Sequence, residues 1–416
     1  RASEIIRLLK KHLSSMTIAS LKPELCCGCA VCSDRCLVNA ISMKENAEGY
    51  VVPVIDAALC IDCGQCAKVC PQMNGSQGRN YQKQSYVCFD SNTDREERSS
   101  SGGMFALIAT YILEKEHGVV YGVAMVYEND ILQCKHIRIE DTKDLHLLQG
   151  SKYMQSHTNG IYKQVKDELK SGRTVLFSGT SCQVAALKRF VGENDYLFTI
   201  DLVCHGVPSD KLFRDYIHFV ELKNHCSVTN VSFRNKGYYH FGKEDTYSFL
   251  YSFTNDKGQT GKKRIPSYKC AFFVLFRNRA GYRQSCYHCK YASLQKPSDI
   301  TLGDFIPRDN EIKQYGFVKK QHYSSAIINS EHGVGLWSLI SSHITATCIP
   351  MDEMLSHHGN LQAPSAITEK GRKFLSVYKA GGFEILQKYV IKAYYKSEVI
   401  RFIKNLSVYF EDGSST

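Results

Sequence analysis

Two matching cysteine runs lie between positions 26 and 71 of the 416-residue chain, and each follows the pattern C-x2-C-x2-C-x3-C. Three cysteines spaced in this way can wrap one face of a cubane iron–sulfur cluster, and the fourth turns away to ligate the other cluster. The pattern therefore predicts two 4Fe-4S clusters. The expected ligands are Cys26, Cys29, Cys32 and Cys70 for the first cluster, and Cys60, Cys63, Cys66 and Cys36 for the second.

Two other uses of cysteine fit this pattern less well. Zinc ribbons pair two C-x2-C knuckles across a longer gap, and disulfide frameworks are typical of small secreted domains. The runs resemble the bacterial two-cluster ferredoxin module, whose second half ends in a proline as Pro71 does here. There are two departures: Leu37 stands in place of the first proline, and Cys27 is an extra cysteine that need not be a ligand.

The composition, with 43% hydrophobic and 22% charged residues, is typical of a globular protein, and the length suggests several domains. Free thiolates require a reducing compartment, and neither a signal peptide nor an apolar run of membrane-spanning length is visible, so we expect a cytoplasmic protein. The net charge of +11 is spread along the chain rather than concentrated in a stripe. We expect no nucleic-acid partner, whereas an acidic partner such as a reduced ferredoxin is compatible with this charge.

Strand and helix patterns alternate from about residue 81, which predicts an α/β layer with at least partly parallel strands. The pattern is mixed beyond 206, and residues 366–406 are helical, basic and rich in tyrosine. One face of this last helix carries Ile391, Tyr395, Val399 and Ile403. We expect it to pack on its own protein, with weak contact to an anionic membrane surface as the alternative.

A run of small residues, Ser99–Gly103, comes directly before the apolar helix predicted from Met104. Small residues let backbone N–H groups approach an anion, and a helix N-terminus adds positive potential. The run can therefore cradle a phosphate, although a merely tight turn fits the residues as well.

Four further cysteines stand in positions suited to chemistry. Cys182 and Cys204 follow two predicted buried strands, and if those strands are parallel neighbours both thiols project from the edge where α/β folds bind ligands. Cys286 and Cys289 form a separate knuckle. Spacing alone leaves open a third cluster, a zinc site, or a redox dithiol with buried thiols. The remaining cysteines are interpreted as small buried residues: Cys88, Cys134, Cys226, Cys270 and Cys348.

Several of these stretches together resemble one family, the beta subunits of the deazaflavin-coenzyme hydrogenases and dehydrogenases. The family also includes formate dehydrogenase beta subunits, hydroxymethyl-chlorophyll reductase and bacterial proteins of polysaccharide-synthesis loci, to which the chain looks most similar. Ser181 departs from the family pattern, which commonly has proline there. The matching stretches are Ser100–Met104, Gly150–Tyr153, Gly179–Gln183, Leu202–Gly206, Phe233–Tyr238, Cys286–Cys289 and Asp299–Phe305.

The resemblance implies an N-terminal ferredoxin-like module followed by a mixed α/β (α/β and α+β) flavoprotein core and a C-terminal helical tail. It also implies FAD as a cofactor, and a third 4Fe-4S cluster on Cys182, Cys204, Cys286 and Cys289. The expected FAD-binding residues are Ser101, Gly102, Gly103, Gly150, Ser151, Lys152 and Tyr153. The expected segments are 1–20 (a tail or cloning remnant), 21–78 (ferredoxin domain), 79–205 (FAD-binding part), 206–365 (remainder of the core) and 366–416 (helical tail).

The implied function is an oxidoreductase that passes electrons from reduced ferredoxin through the clusters to FAD and on to a small molecule, such as a sugar or nucleotide sugar. A proton donor is then needed, and His205 is the first candidate, ahead of Lys152 and Lys236 and of Tyr238 and His240. Two alternatives remain: an adaptor that delivers electrons to a partner enzyme, and an oxidoreductase that uses a deazaflavin coenzyme.

Overall fold

The computed structural model describes the backbone of residues 16–75, 81–128, 131–240, 243–245 and 247–412, without the side chains at 240, 243 and 398–412. The predicted tail 1–20 is thus covered only from Met16. The chain forms two compact units, Arg1–Asp210 with Arg283–Ser365, and Lys211–Tyr282 with Ala366–Thr416. The segments expected from the sequence, with boundaries after residues 20, 78, 205 and 365, stay a prediction.

The described residues include thirteen α-helices and fifteen β-strands. The helices are α1 Val31–Arg35, α2 Gln65–Val69, α3 Thr93–Glu97, α4 Met104–Glu114, α5 Leu145–Leu148, α6 Ile161–Lys170, α7 Ser181–Val191, α8 Asp210–Asn224, α9 Ala271–Arg277, α10 Asp309–Tyr315, α11 Glu331–Ile340, α12 Met351–His357 and α13 Glu369–Asp412. The strands are β1 Ile41–Glu45, β2 Val51–Ile55, β3 Gln84–Asp90, β4 Val119–Glu128, β5 Ile131–Ile139, β6 Val175–Ser178, β7 Leu197–Leu202, β8 Cys226–Ser232, β9 Tyr239–His240, β10 Lys243–Glu244, β11 Phe249–Asn255, β12 Thr260–Ile265, β13 Ile300–Phe305, β14 Tyr323–Ile328 and β15 Ile344–Cys348.

The first unit is built on an eight-stranded mixed sheet with the order β15-β3-β14-β13-β7-β6-β4-β5. Its four inner strands β13, β7, β6 and β4 are parallel, and the outer pairings are antiparallel. Parallel strands are usually buried on both faces, so their sequences are continuous apolar runs. The Val175–Phe177 stretch of β6 is such a run and is fully buried. The predicted mixed α/β fold is confirmed.

The two faces of this sheet are covered by different helices because successive strand residues point to opposite sides. Leu176 packs with Ile108 of α4 and Leu336 of α11. Its neighbour Phe177 packs with Tyr162 of α6 and Val184 of α7. The loops that follow the parallel strands meet at the carboxyl edge of the sheet.

The ferredoxin module belongs to the same unit and consists of α1, α2 and the antiparallel hairpin β1–β2. Its two halves have the same backbone conformation at equivalent positions. Gly28 and Asp62 both have positive φ, and so do Ala30 and Gly64, which precede α1 and α2. The side chain of Arg35 joins the halves through a 3.0 Å hydrogen bond to Gln65.

The second unit contains the three-stranded sheet β12-β11-β8 and the helices α9 and α13. Its core is aromatic: Tyr216 packs on Phe249, Phe272 and Phe383 with ring centroids 5.1 to 5.8 Å apart. Helix α13 is interrupted at Gly381 and Gly382, where the backbone is not helical.

Buried side chains of α13 extend from Phe374 to Val390, so this part of the helix packs on its own unit. Farther along the predicted apolar face, Tyr395 is 52% exposed, and the side chains of Val399 and Ile403 lie outside the described part of the chain. Among the described helices, none combines the length and the apolar content needed to cross a membrane.

Candidate functional site

The thiols predicted to bind the first cluster lie near one another in the ferredoxin module. Burial raises the pKa of the Cys26 thiol to about 11. At Cys32 burial raises the pKa further, and the neighbouring thiols of Cys26 and Cys70 add to the effect. For the second cluster, Cys60 and Cys66 interact with each other electrostatically. Within the described residues no three Cys, His, Asp or Glu side chains converge on the position of a single metal ion.

Hydrogen bonds attach the first cysteine loop to the core of the first unit. The buried carboxylate of Asp34 accepts from the backbone N–H groups of Gly160 (2.8 Å) and Tyr162 (3.2 Å) at the start of α6. The Thr158 hydroxyl donates to the carbonyl of Cys29 at 2.8 Å. The Gln155 amide donates to the carbonyls of Cys27 and Gly28, both at 3.0 Å. The loop and the core therefore form one continuous hydrogen-bonded structure.

A cavity of about 240 Å³ opens at the carboxyl edge of the parallel strands, which is far more space than a single water molecule needs. Strands β6 and β7 are parallel neighbours, which is the condition under which Cys182 and Cys204 were expected at one edge, and the segments that follow both strands line the cavity. The lining segments include Ser99–Ser101, Gly103–Phe105, Leu148–Lys152, Ser178–Gln183, Cys204–Val207 and Leu302–Asp304.

Gly102 and Gly103 form a tight approach at the start of α4. A Cβ on Gly102 would lie 2.6 Å from the carbonyl oxygen of Cys88 and 2.7 Å from the backbone nitrogen of Ser324, so only glycine fits there. Gly103 has φ +83° and precedes the helix, whose N-terminus has no side-chain cap. The first backbone N–H groups of a helix have no intrahelical acceptor, so the residues fit an anionic group such as a phosphate.

The second predicted cofactor loop lies beside the first. The backbone N–H of Ser151 donates to the Ser100 hydroxyl at 2.8 Å and so joins the two segments. Gly150 has φ +82° with open space around it. Tyr153 is not among the residues that line the cavity. Five of the seven residues expected to bind FAD thus line the cavity, and Gly102 lies next to them in the chain without lining it.

The four cysteines predicted for a third cluster all line the cavity, and Cys27 lines it with them. The pKa of the Cys27 thiol is lowered because Cys182 and Cys29 donate hydrogen bonds to it. Cys289 interacts electrostatically with Cys27, Cys182 and Cys204. Sequence reasoning left Cys27 without a role, because nothing local indicates which distant thiols it faces.

The predicted proton donors have different surroundings. His205 lies on the cavity wall with an exposed side chain, and its backbone carbonyl accepts from the Ser365 hydroxyl at 2.6 Å. Lys152 also lines the cavity, but its ammonium donates to the carbonyls of Leu147, Leu148 and Gln149 at the end of α5. Burial lowers the pKa of Lys152 to about 8.

The other predicted donors belong to the second unit, whereas every residue lining the cavity belongs to the first. Lys236 and Tyr238 lie between β8 and β9. The side chain of His240 is outside the described part of the chain.

Two buried groups near the cavity were not found by sequence reasoning. Lys296, only 5% exposed, lines the cavity and donates to the carbonyl of Tyr291 at 2.8 Å. It interacts electrostatically with Cys204 and Cys289. His358 has its pKa lowered to about 4, mainly by burial, and its Nε2 atom has no hydrogen-bond partner among the described residues. In the sequence, the only indication of a role for Lys296 is its position three residues before the family-matching stretch Asp299–Phe305.

The remaining cysteines were predicted to be buried. Cys88, Cys134, Cys226 and Cys270 are buried, but Cys348 is exposed, so that prediction is wrong for Cys348. The reason is its position at the end of β15, the edge strand of the large sheet.

Comparisons with known proteins identify two regions. Residues 172–353 match the family model for the C terminus of the coenzyme F420 hydrogenase/dehydrogenase beta subunit, and residues 25–74 match that of the 4Fe-4S dicluster domain. No curated protein sequence matches the chain significantly. A chain in a solved structure of the xenon-derivatised F420-reducing NiFe hydrogenase complex from Methanosarcina barkeri is similar, with 14% identity over 72% of this chain and 93% of that one, and a TM-score of 0.41.

Proposed function

Because residues 172–353 match the family model for the C terminus of the coenzyme F420 hydrogenase/dehydrogenase beta subunit and residues 25–74 match that of the 4Fe-4S dicluster domain, we propose that the chain is an iron–sulfur flavoprotein reductase. Its role in electron transfer through iron–sulfur clusters follows from the family and the domain. The proposal adds FAD as the second cofactor, reduced ferredoxin as the electron donor, and a small molecule as the final acceptor. Because its cluster-binding thiolates must stay reduced, the proposed location is a reducing compartment such as the cytoplasm.

The cavity is the observation that carries this proposal. It joins an uncapped helix N-terminus, a second loop bonded to it, and five thiols at one edge of the sheet. A phosphate-containing cofactor and a cluster-binding thiol group would thus be neighbours within one unit. This arrangement is suited to electron exchange between them.

Ser101 and Gly103, together with Gly150 and Ser151, line the cavity and would hold FAD, with its phosphates at the start of α4. FAD supplies the exchange between single electrons and electron pairs, which clusters cannot perform. Gly102 leaves room for close backbone approach, and Ser100 fixes the distance between the two loops. Lys152 supports the wall by bonding three carbonyls at the end of α5 rather than by pointing at a ligand.

The proposed electron path enters at the exposed second cluster and continues through the first cluster towards the cavity thiols. Cys63 is exposed, whereas Cys29, Cys32 and Cys70 are buried. A third cluster on Cys182, Cys204, Cys286 and Cys289 would connect the module with the cavity. The contact between Cys27 and Cys182 supports this connection.

His205 is the proposed proton donor to the substrate because it is exposed on the cavity wall. A donor in this position must titrate near neutral pH and reach the reacting atom. A sugar or nucleotide sugar is the proposed substrate class, in line with the resemblance to proteins of polysaccharide-synthesis loci.

The proposal is tested by mixing the anaerobically purified protein with photoreduced ferredoxin and following flavin absorbance. Reduction of the flavin by ferredoxin, followed by reoxidation with a panel of nucleotide sugars, is the expected result. Reoxidation only by a partner protein would instead indicate an electron-transfer adaptor. Reduction by a deazaflavin coenzyme and not by ferredoxin would replace the proposed donor.

A further inference from the structure

Arg283 is a buried cation that has no acidic partner among the described residues. Its side chain is only 4% exposed, and no carboxylate lies within ion-pair distance of it in the described part of the chain. Its acceptors are all neutral: Gln155 Oε1 at 2.9 Å, the Cys26 carbonyl at 3.2 Å and the Val51 carbonyl at 2.9 Å. The ring of Tyr50 lies 4.8 Å away. Burying a charge without a counter-charge is unfavourable, so the site requires negative charge from another source.

The nearest groups able to supply that charge are thiolates. Arg283 interacts electrostatically with Cys26 and Cys27 in the first cysteine run and with Cys286 in the cavity. Cys26 is a predicted ligand of the first cluster. A cubane bound by four thiolates is therefore the natural counter-charge of this guanidinium.

The first cysteine loop leaves no space between itself and Arg283. A Cβ on Gly28 would lie 2.6 Å from Nη2 of Arg283 and 2.7 Å from Nε2 of Gln155. On its other side, the backbone N–H of Arg283 donates to Val207, and its carbonyl accepts from Cys286, both at 2.9 Å. Arg283 is thus fixed between the first cluster loop and the cavity thiols.

The two predicted clusters differ in exposure. The second has the exposed ligand Cys63 and one buried ligand, Cys66. Three ligands of the first are buried: Cys29, Cys32 and Cys70. Burial disfavours the more negatively charged, reduced form of a cluster and so makes the buried cluster harder to reduce. A nearby buried cation has the opposite effect because it stabilises the added negative charge.

We propose that Arg283 raises the reduction potential of the first cluster, so that this buried cluster accepts electrons from the exposed second one. In this step the second cluster loses one electron and the first gains it, with no bond made or broken. Arg283 is a positioning residue in this scheme, since it acts through the cluster. The inference rests on the two clusters of the proposed function.

The test is an anaerobic redox titration of the full-length protein, with both cluster signals followed by electron paramagnetic resonance. Arg283→Gln removes the charge and is expected to move the first cluster to a more negative potential, while Arg283→Lys retains the charge and leaves the potential near that of the wild type. Gln155→Glu keeps Arg283 but gives it a carboxylate, and is expected to shift the same signal in the same direction. Arg138→Gln, which removes a cation paired with Glu168, is the control and should shift neither signal.

Unchanged potentials in both Arg283→Gln and Gln155→Glu would overturn the inference. Equal shifts of both clusters would do so as well, because they would indicate a general loosening of the module. In either case the wild-type cluster signals would leave the proposed function standing. Absence of cluster signals from the wild-type protein would instead overturn both.

Discussion

The thiol of Cys27, in the ferredoxin module, interacts electrostatically with the thiol of Cys182 at the start of α7, and both residues line the cavity. These residues come from two regions that match different family models, the dicluster domain and the beta-subunit region. At this pair of residues the ferredoxin module, through which electrons are proposed to enter, meets the cavity. It also gives Cys27 a place in the site although it lies outside the ligand pattern.

Replacing Cys27 by alanine should therefore affect the cavity and not the ferredoxin pair. We expect the variant to keep the signals of the two ferredoxin cubanes and to change the resonance signal of the proposed third cluster, because a thiol beside Cys182 is lost. Iron analysis and electron paramagnetic resonance check this. Cys134→Ala removes another buried thiol and should leave the signals unchanged. A Cys27→Ala spectrum identical to that of the wild type would refute the assignment.

Gly102 and Gly150, two glycines of the proposed phosphate cradle, are required to be glycine for different physical reasons. Gly102→Ala places a Cβ against two backbone atoms, so we expect a loss of flavin and a destabilisation of about 1–3 kcal/mol. In Gly150→Ala the added Cβ meets no neighbour, and only the φ of +82° is unfavourable for alanine, which should cost about 1–2 kcal/mol. Flavin-to-protein ratios and thermal unfolding measure both. Full flavin content with wild-type stability in Gly102→Ala would contradict the close approach.

His136 should make the folded state sensitive to acid. Its ring accepts from Ser156, donates to the carbonyl of Ser178 and stacks on Phe177, and burial lowers its pKa from 6.5 to about 4. Since the folded state binds the proton more weakly than the unfolded state, this contribution to stability is complete above pH 6.5 and is lost as the pH falls towards 4. At pH 5 the loss should be about 2 kcal/mol.

Denaturant unfolding of the wild type and His136→Gln at pH 7 and pH 5, under anaerobic conditions, isolates this contribution. Other titrating groups, His358 among them, contribute to both proteins and cancel in the difference. The wild type should lose more free energy of unfolding than the variant on acidification. Equal losses would show that His136 is not held neutral by burial.

Asp34 should be needed for attachment of the ferredoxin module to the core. It accepts from two backbone N–H groups at the start of α6 and is 7% exposed. Asp34→Ala leaves those buried donors unpaired, at a cost of about 1–3 kcal/mol, whereas the exposed loop residue Asp195 provides a neutral alanine control. Limited proteolysis between the module and the core should accelerate in Asp34→Ala alone. Equal cleavage rates in the two variants would argue against the attachment.

Local patterns in the sequence determined what could be predicted. The cysteine spacing, the buried strands β6 and β7 and the small residues before α4 are each signals within a short stretch of the chain. The predicted layer with partly parallel strands is confirmed, and β6 and β7 are among its parallel neighbours. The contact of Arg283 with Cys26 spans 257 positions, and no periodicity reports such a distance. The same holds for the insertion of Lys211–Tyr282 as part of a second unit, because a strand pattern does not reveal which sheet the strand joins.

The most direct test of the account is iron and flavin quantification on protein purified without oxygen. We predict about twelve iron atoms and one FAD per chain, corresponding to three cubanes and an occupied cavity. About eight iron atoms with FAD would remove the third cluster and leave the remaining scheme intact. Protein that contains its ferredoxin clusters but no flavin would contradict the central claim that electrons from the module reach a flavin in the cavity.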